Sequence, residues 1–112
     1  MGVRIQIALN IVKAQFADAL AERSIARSVR LSPSRFGRLF KQETGQTFKA
    51  FLEALRMTKA WDMLLSDATL RIKQVADAVG YRHRHAQAFT RDFTKYWGYP
   101  PSRCPRLVAQ AA

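Results

Sequence analysis

Arginine and short hydrogen-bonding side chains fall together on one side of two separate stretches of this chain, and that combination can read the edges of DNA bases. In the first stretch Ser34, Arg35, Arg38 and Lys41 share a face once Phe36, Leu39 and Phe40 are assigned to a buried one. In the second, Gln87, Arg91, Thr94 and Lys95 lie opposite Phe89 and Phe93, with Thr90 at the border. Arg is the bidentate partner of guanine O6 and N7, Gln suits adenine N6 and N7, Thr can pack its methyl on thymine, and Ser can bond any base edge. Arg38, one turn beyond Arg35, is the leading specificity candidate. Lys95 is the type of residue that holds phosphate, adding affinity without sequence information. Either face alone reads better as solvated charge; two matching faces in matching surroundings argue against that.

The surroundings match because the chain repeats itself. Ile25, Ala26 and Val29 return fifty residues on as Val75, Ala76 and Val79, whereas Phe36, Arg38, Phe40 and Gly45 return fifty-three on as Phe89, Arg91, Phe93 and Gly98. The second copy therefore has a longer middle turn. A short helix, a tight turn and a second helix with one basic face is the layout of a helix-turn-helix unit, and two such units point to double-stranded DNA.

The elements that must hold these faces read as all-α, since helical periodicity runs almost throughout and no stretch alternates strictly as a half-buried strand does. Ile5, Leu9, Val12 and Phe16 give a first helix with one apolar stripe, and a short helix follows from Ala21 to Val29. Ser32 before Pro33 is a cap followed by a proline at the first helical position, and Gly45 closes that helix. A long helix runs from Thr47 to about Ser66. Its apolar residues form two sets, Phe48, Phe51, Leu52 and Leu55 on one side and Met57, Trp61, Leu64 and Leu65 largely on the other, so each half is expected to pack on a different unit, with Trp61 buried. At about 1.5 Å per residue it is on the order of 30 Å long, close to the roughly 34 Å between successive major-groove faces. The second unit begins near Ile72 and turns at Gly80-Tyr81; Phe89, Phe93 and Trp97 face its core, Gly98 stops the reading helix, and Tyr99-Pro100-Pro101-Ser102 starts a short terminal helix. The expected division is 3–46 and 67–106 for the two units, 47–66 for the helix between them, and 107–112 for a fraying tail.

Charge and composition narrow the partner. Nineteen Lys and Arg against 8 Asp and Glu leave a net charge of +11 on 112 residues, a field that attracts polyanions. Nothing approaches the roughly 20-residue apolar run needed to cross a bilayer, and Met1 to Ala8 do not read as a signal peptide, so a cytoplasmic protein is the expectation. Cys104 is the only cysteine, which forbids an internal disulfide and a multi-cysteine zinc site. His83 and His85 tempt a metal reading, but residues two apart do not share a helix face and no carboxylate or thiol is near in sequence. No metal or other cofactor is expected. Gly37 either lets the backbone approach DNA closely or lets two helices pack tightly, and the sequence leaves both open.

At these residues the chain resembles the DNA-binding domain of the AraC/XylS family of bacterial transcription regulators. The matching words are Leu31-Ser-Pro-Ser-Arg-Phe-Gly-Arg-Leu-Phe-Lys-Gln-Glu-Thr-Gly45, Leu55-Arg-Met-Thr-Lys-Ala60 with Leu64-Leu65, Ile72-Lys-Gln-Val-Ala76, Val79-Gly-Tyr81, Phe89-Thr-Arg-Asp-Phe93 and Gly98-Tyr-Pro-Pro-Ser102. The resemblance covers about Ile5 to Arg106. It implies seven helices, two helix-turn-helix subdomains joined by the long helix, and binding to promoter DNA to regulate transcription, usually activation. It also implies base contacts from Ser34, Arg35 and Arg38 in the first unit and from Gln87, Thr90 and Arg91 in the second. Phosphate contacts are expected from Lys41, Arg82, Arg84, Thr94 and Lys95. Between Gly80 and Phe89 the sequence has two residues more than the family's usual spacing, within Tyr81-Arg-His-Arg-His-Ala86, which leaves the register of Gln87 open. Partners expected by the same resemblance are RNA polymerase and a separate effector-binding or dimerisation domain, the chain being either a short stand-alone regulator or a piece of a longer one.

A protein-interaction module is the competing class, since helix-turn-helix folds are reused that way. It would place apolar residues outward on the reading helices, where this chain has polar and basic ones. An enzyme is disfavoured: there is no Gly-rich phosphate loop, no convincing carboxylate pair, and no serine or cysteine beside a plausible base. A membrane-surface helix would need one exposed hydrophobic face, whereas the apolar stripes here serve to join helices.

Overall fold

Ser32 and Pro33 act as the sequence predicts, and from them the first reading helix can be placed. The computed structural model of the chain describes residues 2–82 and 86–105. The Ser32 side chain accepts a hydrogen bond from the Arg35 backbone N–H at 3.2 Å, and helix α3 then runs over Pro33–Thr44 to Gly45, whose left-handed conformation at φ 81° ends it. Before it come α1, Val3–Gln15, and α2, Glu22–Ser28. After it come α4, Phe48–Ser66, and α5, Ile72–Ala76, which runs into a π-wound segment over Asp77–Tyr81. Helix α6, Ala86–Trp97, is followed by a single 3-10 turn over Pro101–Arg103. Among the described residues there are thus six α-helices and one 3-10 turn, with no strand. The expected tail, 107–112, and the expected domain end at Arg106 lie outside the described residues.

Two compact units divide the chain, Met1–Leu55 and Arg56–Ala112, with the boundary inside α4. In the first unit Ile5, Ala8, Leu9 and Val12 of α1 form a core with Ile25, Ala26, Val29, Leu31, Phe36, Phe40, Phe48 and Leu52. Phe40 is its hub. Its ring centroid lies 5.6 Å from Phe36, 5.7 Å from Phe48 and 5.6 Å from Phe51, and offset or edge contacts of this kind add about 0.5–1.5 kcal/mol each beyond area burial. These rings fix α3 against the first half of α4. Thr47 sets the start of α4 by accepting the Ala50 N–H on its hydroxyl at 3.1 Å. The stripe of α1 is narrower than expected: Phe16 lies beyond the helix and is half-buried, while Val3 and Ile7 are exposed.

In the second unit Met57, Ala60 and Leu64 of α4 are fully buried, as are Val75, Val79, Phe89 and Phe93. Trp61 departs from the expectation of burial. It is half-buried, its ring 5.7 Å from Trp97, with its indole N–H donating to the Tyr99 hydroxyl at 2.9 Å. The reason is chemical, because an indole carries a donor that must be satisfied, and a site at the rim with a phenol in reach does that where an apolar interior would not. Trp97 behaves alike: half-buried, it donates its ring N–H to the Met57 carbonyl at 3.1 Å. Cys104 is buried. No helix among the described residues is long and apolar enough to cross a membrane.

Replacing Trp61 should therefore cost less than emptying a core. We expect Trp61→Ala to destabilise the chain by about 2–3 kcal/mol, below the ~3–5 kcal/mol of a fully buried large aromatic. Trp61→Phe, which keeps a ring against Trp97 but loses the bond to Tyr99, should cost about 1 kcal/mol. Urea unfolding followed by circular dichroism separates the two, and equal losses would mean that the hydrogen bond carries the whole contribution and the ring contact with Trp97 none.

Candidate nucleic-acid interface

Each reading helix takes its orientation from two phenylalanines one turn apart. Phe36 and Phe40 of α3 have no exposed surface, and neither do Phe89 and Phe93 of α6. With that side of the helix held inward, the opposite side is in water. Ser34, Arg35, Arg38 and Lys41 are all exposed on α3. Gln87, Arg91 and Lys95 are exposed on α6, with Thr90 and Thr94 half-buried at the edges of the face. Arg82 is exposed before it, whereas Arg84, His83 and His85 lie outside the described residues. The two helices are both 12 residues long. Their ends, their terminal glycines and their buried phenylalanine pairs are all fifty-three positions apart, so Arg38 and Arg91 occupy the same place, as do Ser34 and Gln87. The longer spacing of the second copy falls before Ala86, and the register of Gln87 relative to Phe89 repeats that of Ser34 relative to Phe36.

On α3 the exposed face is more than a row of charges. Arg35, Arg38, Leu39 and Gln42 line a shallow groove, so two guanidinium groups are brought together with an amide and an apolar wall. Leu39, assigned to the buried side from sequence, is half-buried and shared between the core and this groove. Gln42 was not singled out by the sequence reading, although it stands one turn after Arg38 and so belongs on its face. Gly37 meets α2: a side chain built there would come within 3.3 Å of the Glu22 carboxylate, which favours close helix packing over close approach to DNA.

Unit 2 orders its face with a carboxylate. The Asp92 side chain accepts the Tyr81 hydroxyl at 2.6 Å on one oxygen, and its other oxygen lies 3.3 Å from the Arg91 Nε. Tyr81 is buried and its ring packs edge-on against Phe89 at 5.4 Å, so the turn, the core and the candidate reader are linked through one acid. At 73% exposure Arg91 keeps its outer guanidinium nitrogens in water, and a surface ion pair of this kind contributes about 0–1 kcal/mol to stability. Its effect is on where the side chain points. The sequence signal for Asp92 was a single acid inside an otherwise basic helix. The Thr94 hydroxyl donates to the Thr90 carbonyl at 2.6 Å, so facing a phosphate with a donor would require it to rotate. Among the described residues no group of three or more His, Cys, Asp or Glu could hold a metal ion.

Comparison with known proteins agrees with this geometry. The sequence model of a family described as a helix-turn-helix domain matches residues 25–106. The arabinose operon regulatory protein of Escherichia coli (strain K12) is 33% identical over 103 residues, covering 91% of this chain and 34% of that protein. The chain spans about a third or less of the length of the curated relatives it matches. Among solved structures, the C-terminal domain of AraT, a response regulator from Geobacillus stearothermophilus, superposes with a TM-score of 0.84 at 30% identity, covering 91% of this chain and 83% of that one. The DNA-binding domain of AdpA, a global transcriptional factor solved in complex with a target DNA, superposes with a TM-score of 0.81 at 19% identity over 90% of this chain and 88% of that one, a likeness of fold.

The Tyr81 link to Asp92 is testable without DNA. Tyr81→Phe should destabilise the chain by about 1–2 kcal/mol, since a hydrogen bond to a charged acceptor is lost with no change of shape. A denaturation midpoint equal to that of the unchanged chain would show that Asp92 is held by something else.

Proposed function

We propose that this chain, which belongs to the AraC/XylS family of helix-turn-helix DNA-binding domains, binds double-stranded promoter DNA in a bacterial cytoplasm with α3 and α6 in successive major grooves and regulates transcription there, as an activator. The family is one of DNA-binding regulator domains and not of enzymes. The observation that carries the proposal is the equivalence of the two exposed faces, with Arg38 and Arg91 in the same register on helices of equal length. In this reading Ser34, Arg35 and Arg38 meet base edges in one groove and Gln87, Thr90 and Arg91 in the next. Lys41, Arg82, Arg84, Thr94 and Lys95 meet phosphates along the flanks. Residues 3–46 and 67–106 are then two reading subdomains and 47–66 the helix between them. Regulation calls for partners beyond this chain, RNA polymerase and a domain that senses an effector or dimerises.

The solved complex of AdpA with a target DNA supports the reading at the level of the fold. The name of the arabinose operon regulator supports the promoter as the place of action. Charge supports it independently, since a net +11 has to be neutralised by something strongly acidic.

Binding should weaken steeply with salt, the logarithm of affinity falling by about 0.9 for each phosphate contact per decade of salt. Affinity that is the same in dilute and in physiological buffer would refute the DNA reading. Within that binding, Arg38→Ala and Arg91→Ala should each cost about 1–3 kcal/mol on a selected duplex and relax the preference at one half of an asymmetric site, whereas Lys95→Ala should weaken all duplexes alike. Selection from a random duplex pool followed by mobility shifts on selected and scrambled sequences is the measurement. Equal losses on both duplexes would make the two arginines phosphate contacts.

A further inference from the structure

Helix α2 ends in a way that asks for glycine and has arginine. The Arg30 N–H donates to the Arg27 carbonyl at 3.0 Å and the Leu31 N–H to the Ala26 carbonyl at 2.9 Å. This pair of reversed bonds forces the residue after the helix cap into the left-handed region, where a side chain crowds the backbone and glycine is strongly favoured. Arg30 has φ 59°. The other three described residues with positive φ are Gly45, Gly80 and Gly98. Gly80 is also the counterpart of Arg30 in the second unit, fifty positions on, flanked by buried Val79 and Tyr81 as Arg30 is by buried Val29 and Leu31. The same turn is thus built twice, once with the favoured residue and once with a long cationic one.

Among the described residues no polar contact accounts for the choice. Arg30 is exposed, and among the described residues its side chain makes neither an ion pair nor a hydrogen bond. Strain retained without an internal contact is a mark of a functional position. Arg30 stands two residues before Ser32, the cap of α3, and opens the acid-free run that ends at Lys41. A helix that enters the major groove has the sugar-phosphate backbone beside its first turn, and a planar guanidinium can hold a phosphate through two parallel hydrogen bonds.

We propose that Arg30 is a DNA-phosphate contact of the first unit, a site at which stability is given up for affinity. The inference rests on the DNA-binding reading above. In the corresponding turn of the second unit Gly80 carries no side chain and the Arg56 guanidinium packs over it, 2.8–3.1 Å from where a Cβ would stand, and the exposed Arg82, two residues on, takes the phosphate-binding part there.

The experiment compares Arg30→Gly and Arg30→Lys with the unchanged chain, in thermal melts and in salt titrations of binding to the selected duplex and to a random-sequence duplex pool. Arg30→Gly should raise the melting midpoint by roughly 3–6 °C. It should also weaken binding to both DNAs alike, by about three- to tenfold in dilute buffer, with a salt slope shallower by about 0.9. Arg30→Lys should keep both the slope and the midpoint. Unchanged affinity and slope in Arg30→Gly would overturn the proposal while leaving the DNA reading intact, because the unchanged chain would still bind with its full salt dependence. A lower midpoint in Arg30→Gly would overturn it too, by showing that the side chain holds the fold. Loss of the slope in Arg30→Lys would do the same, since a positive charge would then be insufficient. Failure of the unchanged chain to bind either DNA would instead refute the DNA reading itself.

Discussion

Two buried rings one turn apart decide which way each reading helix faces, and the interface follows from that. A phenylalanine at one position and another four residues on occupy a single side of an α-helix. When both are fully buried, as Phe36 with Phe40 and Phe89 with Phe93 are, the helix cannot rotate without bringing a ring into water. Burying a side chain of that size contributes about 1.5–3 kcal/mol, so a rotation that exposed both would forfeit several kcal/mol. The residue midway between the two rings then has to point outward. In both units that residue is an arginine, Arg38 or Arg91. The position of a candidate base reader is set by apolar packing on the other side of the same helix.

The two units satisfy this constraint with different chemistry behind the helix. Behind α3 the packing is hydrocarbon, with Phe36, Phe40, Phe48 and Phe51 in mutual ring contact. Behind α6 the rings carry polar atoms: Tyr81 donates to Asp92, Trp61 to Tyr99, and Trp97 to the Met57 carbonyl. The indoles settle near a rim where each donor finds an acceptor, which is why Trp61 and Trp97 are half-buried while Phe36, Phe40, Phe89 and Phe93 are sealed. The second unit therefore adds directional bonds from its rings to an apolar core, where the rings of the first contribute apolar contact only.

Much of this was legible in the sequence because it depends on local rules. Periodicity, the Ser32-Pro33 start and Gly45 placed α3 to within a residue, Gly98 placed the end of α6 while its start stayed open, and the alternation of ring and cation assigned their faces. What the sequence could not supply came from contacts between distant residues and from backbone angles. Trp61 carries a stripe position that reads as core, and only the proximity of the Tyr99 hydroxyl explains why it stays at the rim. Asp92 reads as one acid among basic residues until Tyr81, eleven positions earlier, is seen to bond it. The groove on α3 joins Leu39 to Gln42, residues that a strict division into buried and exposed sides had kept apart. A turn is legible from sequence at Arg30-Leu31 as at Gly80-Tyr81, but the positive φ at Arg30 is not, because arginine gives no sign of one.

The asymmetry between the units bears on how they divide the work of recognition. On α3 no acid lies near Arg35 or Arg38 in sequence, and among the described residues neither guanidinium is held in an ion pair, although the Glu22 carboxylate comes up to the helix at Gly37. That favours attraction at long range, and it leaves the side chains to be ordered when DNA arrives. On α6 Asp92 cancels part of the charge of Arg91 and holds its Nε side, leaving the outer nitrogens in water. Ordering a long side chain on binding costs on the order of 0.5–1.5 kcal/mol, and an arginine already held by a neighbouring carboxylate has given up part of that freedom before contact. On the proposed DNA reading, the first unit is thereby better arranged for capture and the second for discrimination.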